Sequence, residues 1–206
     1  MIHVDIQPPP DDFEVKVAVK GQAFLAKNPN PSSWKNKEFW RDAIDDLRQA
    51  YNDICAYSCH WIPNDTGSST VDHYFPKSIA PHLAYSWDNY RLASSRMNSR
   101  KREFLDVLDP FEIETGWFML DFSTIHVKPL LDLDNVMLGK ILRTIERLQL
   151  NDERLIKARL KWILDYCYGP LDFDYLKSHA PFIAFELERQ SLQDKKLLQS
   201  IFPLRI

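Results

Sequence analysis

The stretch TVDHYFPKSIAPHLAYSWDNYRLASSRMNSRK, residues 70–101, decides the fold that we predict for this chain. Pro76 and Pro81 interrupt it, and proline removes a backbone donor and clashes with the preceding helical turn. The segment between Thr70 and Phe104 therefore leaves no room for a long helix. We predict a strand, a loop, a second strand and a short helix, in this order.

Basic residues are concentrated at the end of this stretch. Five of them and no acid occur in twelve positions: Arg91, Arg96, Arg100, Lys101 and Arg102. The segment that follows, 103–135, is acidic. This asymmetry favours a local phosphate-binding surface beside an acidic flank, which could dock a partner, repel DNA or simply be a solvated connector.

Four polar side chains follow one another in a distinctive order. They are Asp72, His73, Asn89 and Asn98. Their order resembles the motif of the HNH, or ββα-metal, endonuclease family, and the resemblance implies that Asp72 and His73 end the first strand, that Asn89 begins the second and that Asn98 lies in the following helix. The resemblance implies an α+β protein with a small ββα-metal nuclease core embedded in a mainly helical body, and it implies metal-dependent hydrolysis of nucleic-acid phosphodiester bonds.

Each of the four residues has a role that suits this chemistry, which needs a base, a cation and correct positioning. We assign His73 as the general base, because an imidazole pKa of about 6.5 leaves a large neutral fraction near pH 7. Asp72 and Asn98 would offer oxygen ligands to a divalent cation, and oxygen-only ligation predicts Mg²⁺, with Mn²⁺ as a substitute. Asn89 matches the family's loop-organising position, where we expect it to orient His73 and brace the hairpin.

Taken singly, these residues have ordinary explanations. An Asp-His pair is more often an incidental surface pair, and a lone Asn in a helix is usually solvated. Four matching residues in order favour the catalytic interpretation.

Candidate nucleic-acid-binding residues lie beside the four. Arg91, Arg100 and Lys101 could hold flanking phosphates, and Lys77 in the FPKS run is a further candidate. For the two remaining arginines of the basic run, a solvated helix face is at least as good an interpretation.

Many HNH proteins hold a structural zinc with two pairs of cysteines, and this sequence departs from that pattern. Cys55 and Cys59 have three residues between them instead of two, and the second pair's positions hold Ser94 and Met97. A structural zinc wants four nitrogen or sulfur ligands. We therefore expect no structural zinc, although Cys55 and Cys59 could reassemble a site with two histidines, His60 and His82.

The flanking segments predict a scaffold around this core. Period-2 apolar positions predict a strand over 13–19 that ends at Gly21, and an apolar stripe from Trp40 to Ile54 predicts a helix of about five turns. The expected C-terminal helices run from 137 to 150, from the N-cap Asn151 to the stop at Gly169-Pro170, and from 181 to 200. We expect one compact unit with a strand-and-helix scaffold at 1–54, the HNH core at 55–104 and a helical region at 105–206.

Composition narrows the class of protein. Hydrophobic residues make up 45% and charged residues 27% of the 206 residues, which is typical of a globular domain and not of a disordered chain. The net charge of -3 argues against a broadly basic nucleic-acid-binding surface. The N-terminus shows no leader pattern and no segment reaches the roughly 20 apolar residues of a membrane span, so we expect a cytoplasmic protein with reduced cysteines.

The resemblance extends beyond the motif. CAYSC, FLDVLDPF and TIERLQLNDERLIKARLKW look like features of the HNH nuclease subunits of bacterial anti-phage defence systems, of the Septu type and retron-associated. That resemblance implies an ATPase partner that controls the nuclease and DNA as the expected substrate.

Two alternatives stay open at this point. The chain could be a non-cleaving nucleic-acid-binding or assembly subunit that keeps the HNH fold, or a nuclease directed at RNA. Retention of the base beside two ligand residues disfavours the first, and the sequence does not separate DNA from RNA.

Overall fold

The chain divides into two compact units in a computed structural model that describes residues 1–130 and 133–203. The N-terminal unit comprises Val4–Tyr57 and Ile62–Leu105, and the C-terminal unit comprises Met1–His3, Ser58–Trp61 and the residues from Asp106 onward. The described residues form eight α-helices and two antiparallel two-stranded sheets. The expected α+β class is thus confirmed.

The central prediction of strand, loop, strand and short helix is confirmed in the N-terminal unit. Strand β1 (Ser69–His73) pairs antiparallel with β2 (Tyr90–Ser94), and helix α3 (Ser95–Lys101) follows β2 without a linker. Ser94 ends the strand in an extended conformation and accepts a hydrogen bond from the Met97 amide at 3.4 Å, which caps the helix.

The predicted strand over 13–19 is wrong. The chain forms a π-helical turn at Glu14–Ala18 and continues as helix α1 (Val19–Lys27). Phe13, Val17 and Gly21 are buried at spacings of four, while Val15 is 72% exposed, so the true period is helical. Gly21 does not end a strand; it lies inside α1.

The helix predicted from Trp40 to Ile54 is shorter than expected. A 3-10 turn at Phe39–Ala43 leads into α2 (Ile44–Ala50), after which Asn52 and Asp53 adopt positive φ values of 50° and 59°. Two consecutive residues in the left-handed region end a helix, because the carbonyl ladder cannot continue through them.

The C-terminal unit joins a β-hairpin to five helices within the described residues. Its elements are β3 (Phe118–Asp121), β4 (His126–Pro129), α4 (Asn135–Arg147), α5 (Glu153–Tyr168), α6 (Phe173–His179), α7 (Pro181–Arg189) and α8 (Lys195–Ile201). None of the helices in the described ranges is long and apolar enough to cross a membrane.

Three details of this unit differ from expectation. Asp152 caps α5 through the Leu155 amide, while the side chain of Asn151 binds the backbone N–H and C=O of Val127 at 2.7 and 2.8 Å. The β3–β4 hairpin and α6 were not predicted. The expected last helix is split into two, because Ser191 takes a positive φ of 56° between α7 and α8.

Candidate active site

A cleft of about 430 Å³ in the N-terminal unit is lined by Asp72, His73 and Asn98, three of the four predicted catalytic residues. The first two end β1, and the third lies in α3. The antiparallel pairing places His73 opposite Tyr90. Because α3 leaves β2 directly, the hairpin brings Asn98 back to β1.

Asn98 is held in place through the nitrogen of its side-chain amide. Its Nδ2 donates to Thr70 Oγ1 at 3.0 Å and to the Val71 carbonyl at 3.3 Å. Thr70 Oγ1 in turn donates to the Ala93 carbonyl at 3.0 Å. The amide nitrogen is therefore fixed against β1, and the amide oxygen lies on the other side of the group.

Asp72 is a buried carboxylate with several stabilising partners. It is 2% exposed, and the hydroxyl of Tyr57 donates a hydrogen bond to its Oδ2. Burial raises the pKa of Asp72, while Lys101, Tyr57 and Arg91 pull it down. The carboxylate thus has one oxygen bound by protein, and the cations offset part of the cost of its burial.

His73 is locked in one tautomer. Its Nε2 lies 2.9 Å from the Ala84 carbonyl, which can only accept, so Nε2 carries the proton and Nδ1 carries the lone pair. Trp40 and Tyr90 make edge-to-face contacts with the ring at centroid distances of 4.9 and 5.2 Å. Burial and the nearby Lys77 lower the pKa of His73 to about 3, so the imidazole is neutral at physiological pH and is a weaker base than the ordinary imidazole assumed from the sequence.

Asn89 does not line the cleft but holds the loop between β1 and β2. Its Oδ1 accepts from the Phe75 amide at 2.8 Å, and its Nδ2 donates to the carbonyls of Phe75 and Leu83 at 3.0 and 3.2 Å. These contacts connect both arms of the loop that carries the Ala84 carbonyl. The geometry matches a bracing role, and a catalytic role for Asn89 stays a prediction.

The predicted phosphate-binding cations have different surroundings. Lys77 lines the cleft, with Nζ 4.6 Å from the Trp40 ring centroid. Arg91 is 3% exposed and donates to the carbonyls of Asp88 and Tyr90, and Lys101 is fully buried and donates to the Tyr74 carbonyl at 2.9 Å.

Arg100 is half-buried on α3 and does not line the cleft. Phosphate binding by Arg91, Arg100 and Lys101 stays a prediction. The evident effect of Arg91 and Lys101 is electrostatic, on Asp72.

The cysteines take separate positions. Cys55 in the N-terminal unit accepts a hydrogen bond from the Ser94 amide at 3.4 Å, while Cys59 belongs to the C-terminal unit; both are buried, and neither forms a disulfide. Met97, at the other expected zinc position, is buried in the core. In residues 1–130 and 133–203, no group of three or more His, Cys, Asp or Glu side chains is placed to hold a metal ion. The proposed Asp72 and Asn98 pair contains a single carboxylate.

Sequence reasoning missed three contributors to the site. Tyr57 binds Asp72, the Ala84 carbonyl fixes His73, and Trp40 packs on the imidazole. Trp40 was recognised only as part of an apolar stripe, and Tyr57 only as a residue of CAYSC. No local pattern distinguishes either from a core aromatic residue.

No protein-family model matches the chain, and no curated protein is significantly similar to it. A functional assignment therefore depends on the geometry of the cleft and on the resemblance of residues 70–101 to the HNH motif.

Proposed function

We propose that the chain is a metal-dependent HNH endonuclease that hydrolyses nucleic-acid phosphodiester bonds. The observation that carries this proposal is that Asp72, His73 and Asn98 line one cleft, with the imidazole held in a single tautomer. The ββα arrangement of β1, β2 and α3 supports it, because that is the arrangement expected of an HNH core.

His73 acts as the general base. Its Nδ1 takes the proton of the attacking water, and the Ala84 carbonyl, already bonded to Nε2–H, stabilises the imidazolium that forms. Trp40 and Tyr90 restrict rotation of the ring, so that the lone pair is directed before the substrate arrives.

Asp72 and Asn98 would hold Mg²⁺ or Mn²⁺. Their donor chemistry fits such an ion, because both offer oxygen and the amide nitrogen of Asn98 is already bound to β1. When bound, the ion neutralises negative charge on the phosphate and on the leaving oxygen. Tyr57 orients the carboxylate by holding Oδ2.

The biological setting is part of the same proposal and comes from the resemblance. We place the nuclease in an anti-phage defence system, with DNA as substrate and an ATPase partner as regulator. The net charge of -3 supports delivery by a partner, because a nuclease held by another subunit needs no wide basic surface of its own.

Cleavage assays test the proposal. Plasmid DNA and RNA are incubated with Mg²⁺, Mn²⁺ or EDTA and with wild type, His73→Ala or His82→Ala, alone and with any co-purifying ATPase. His82 is exposed on the Pro81–Leu83 turn and does not line the cleft, so it is the matched control. We expect metal-dependent cleavage that is lost in His73→Ala and kept in His82→Ala.

Absence of cleavage of either nucleic acid in every combination would contradict the proposal and favour a non-cleaving binding or assembly subunit. Cleavage of RNA alone would keep the chemistry and change the substrate.

A further inference from the structure

The cleft contains more than the predicted catalytic residues. Two cations, Lys77 and Arg102, contribute to the same lining, and so do Pro31, Ser32 and the aromatic side chain of Trp34. Two side chains that could bind an anion and one flat aromatic ring thus lie together beside His73, the proposed base.

We propose that this cleft binds a single, unpaired nucleic-acid strand, with Arg102 and Lys77 contacting phosphates and Trp34 stacking on a base. This inference rests on the proposed function and narrows its substrate class.

Arg102 is distinguished from the other basic residues of the motif by its position. Among the five between 91 and 102, it alone lines the cleft, and its side chain is exposed. Its backbone takes φ 49° and ψ -132° at the end of α3, a sparsely populated conformation for a residue with a side chain. Such outliers are concentrated at ligand-binding and active sites, which favours a functional role for this residue.

Trp34 is held in place before any ligand binds. Its ring makes edge-to-face contacts with Phe24, Trp40 and Tyr85 at centroid distances of 6.0, 5.8 and 6.0 Å, and the side chain stays half-buried. A fixed aromatic ring near cationic side chains is the usual platform for single-stranded nucleic acid, because every base offers a π-face.

The size and charge of the cleft favour an unpaired strand over a duplex. A volume of about 430 Å³ lies in the lower part of the range of small-ligand pockets and suits one nucleotide. The face of a base becomes accessible to an aromatic side chain only when the base leaves its stack. Duplex binding depends on many phosphate contacts, whereas this cleft supplies two cations and also contains two carboxylates, Asp72 and Glu103.

Binding measurements in the full chain separate this inference from catalysis. The His73→Ala variant in EDTA is titrated against fluorescein-labelled single-stranded DNA, single-stranded RNA and duplex DNA, each about 12 nucleotides long, by fluorescence anisotropy. We expect single strands to bind at least about 10-fold more tightly than the duplex. The two single-stranded arms distinguish DNA from RNA.

Second substitutions in the same background test the named residues. We expect Trp34→Ala to weaken single-strand binding about 10-fold, while Trp34→Phe and Trp162→Ala, which leaves the cleft lining intact, have little effect. Arg102→Gln should weaken binding and lower the salt slope by about 1, whereas Arg96→Gln, an exposed arginine of α3 outside the cleft, should change neither. Glu103→Gln should strengthen binding.

Three outcomes would overturn the inference. The first is duplex binding as tight as single-strand binding, with metal-dependent cleavage retained in wild type, which leaves the proposed function standing. The second is equal loss of binding in Arg102→Gln and Arg96→Gln, a comparison that remains available if Trp34→Ala does not fold. The third is absence of binding to any nucleic acid together with absence of cleavage, which would remove the proposed function as well.

Discussion

Replacing Tyr57 with Phe deletes one hydroxyl group that contacts a residue of the candidate active site. That hydroxyl donates a hydrogen bond to Oδ2 of Asp72, and both side chains are buried, so that bulk water does not readily take its place. A hydrogen bond to a charged group contributes about 1.5–3 kcal/mol, and a buried acceptor that loses its donor retains its desolvation cost. We expect the free energy of unfolding to fall by about 2 kcal/mol.

Tyr90→Phe is the matched control. Tyr90 is also fully buried, and its hydroxyl donates to a neutral acceptor, the Ala84 carbonyl, at 2.9 Å. A hydrogen bond to a neutral group contributes only about 1 kcal/mol. The two substitutions should therefore differ by about 1 kcal/mol, which is about a fivefold difference in the equilibrium between folded and unfolded protein.

Urea denaturation followed by tryptophan fluorescence measures both losses. With an m value of about 2 kcal/mol/M, Tyr57→Phe should lower the midpoint by about 1 M. In the cleavage assay, the same variant should need about 10-fold more Mg²⁺ for half-maximal activity, since a hydroxyl that orients a metal ligand is lost. Equal destabilisation by Tyr57→Phe and Tyr90→Phe, together with unchanged Mg²⁺ dependence, would refute this reasoning.

Three further predictions concern stability, each measured by urea denaturation. Asn89→Ala removes three hydrogen bonds to the loop backbone and should cost about 2–3 kcal/mol; a loss below about 0.5 kcal/mol would contradict the bracing role. Gly21→Ala would place a methyl group 2.0 Å from Cγ of Tyr85 and should destabilise by at least about 1 kcal/mol, whereas Gly139→Ala, which meets only a flexible arginine, should not destabilise.

The third concerns pH. Burial lowers the pKa of His60 from 6.5 to about 3 in the folded protein, so the unfolded chain binds more protons between these values. The resulting stability is present above about pH 6.5, and about 2 kcal/mol of it should be lost between pH 7 and pH 5. The pKa of His73 is lowered to the same value, so wild type also loses stability through that residue, and the loss in His60→Gln should be about 2 kcal/mol smaller than in wild type.

The hairpin and its helix could be predicted from sequence because their determinants are local. Pro76 and Pro81 exclude a long helix, and the polar residues Asp72, His73 and Asn98 have a fixed order. Antiparallel pairing of β1 with β2 then brings these residues together with no further information. The three residues of the motif that line the cleft could therefore be predicted from the sequence.

Other parts of the structure depend on contacts distant in sequence. In residues 13–21 the alternation of valines suggested a strand, yet the residues that are buried are four positions apart, as in a helix. The sequence is compatible with both the strand pattern and the helix pattern, and only the tertiary contacts select the helix. From the sequence we interpreted Gly21 as the end of a strand. The side chain that lies against it in the structure is the ring of Tyr85, which is 64 positions later in the chain. Tyr57 was missed for the same reason, since Asp72 pairs with it across 15 positions.

The basic run between Arg91 and Arg102 shows why a count of charges does not by itself locate a ligand. Arg91 and Lys101 are buried, donate hydrogen bonds to backbone carbonyls and offset part of the cost of burying the charge of Asp72. Arg102, for which the sequence made a solvated helix face at least as good an interpretation as phosphate binding, is the arginine of the run that lines the cleft. Buried cations keep a carboxylate available for a metal ion, so substitution of Lys101 should change the metal dependence of cleavage. Exposed cations can contact phosphate, so substitution of Arg102 should change the affinity for nucleic acid.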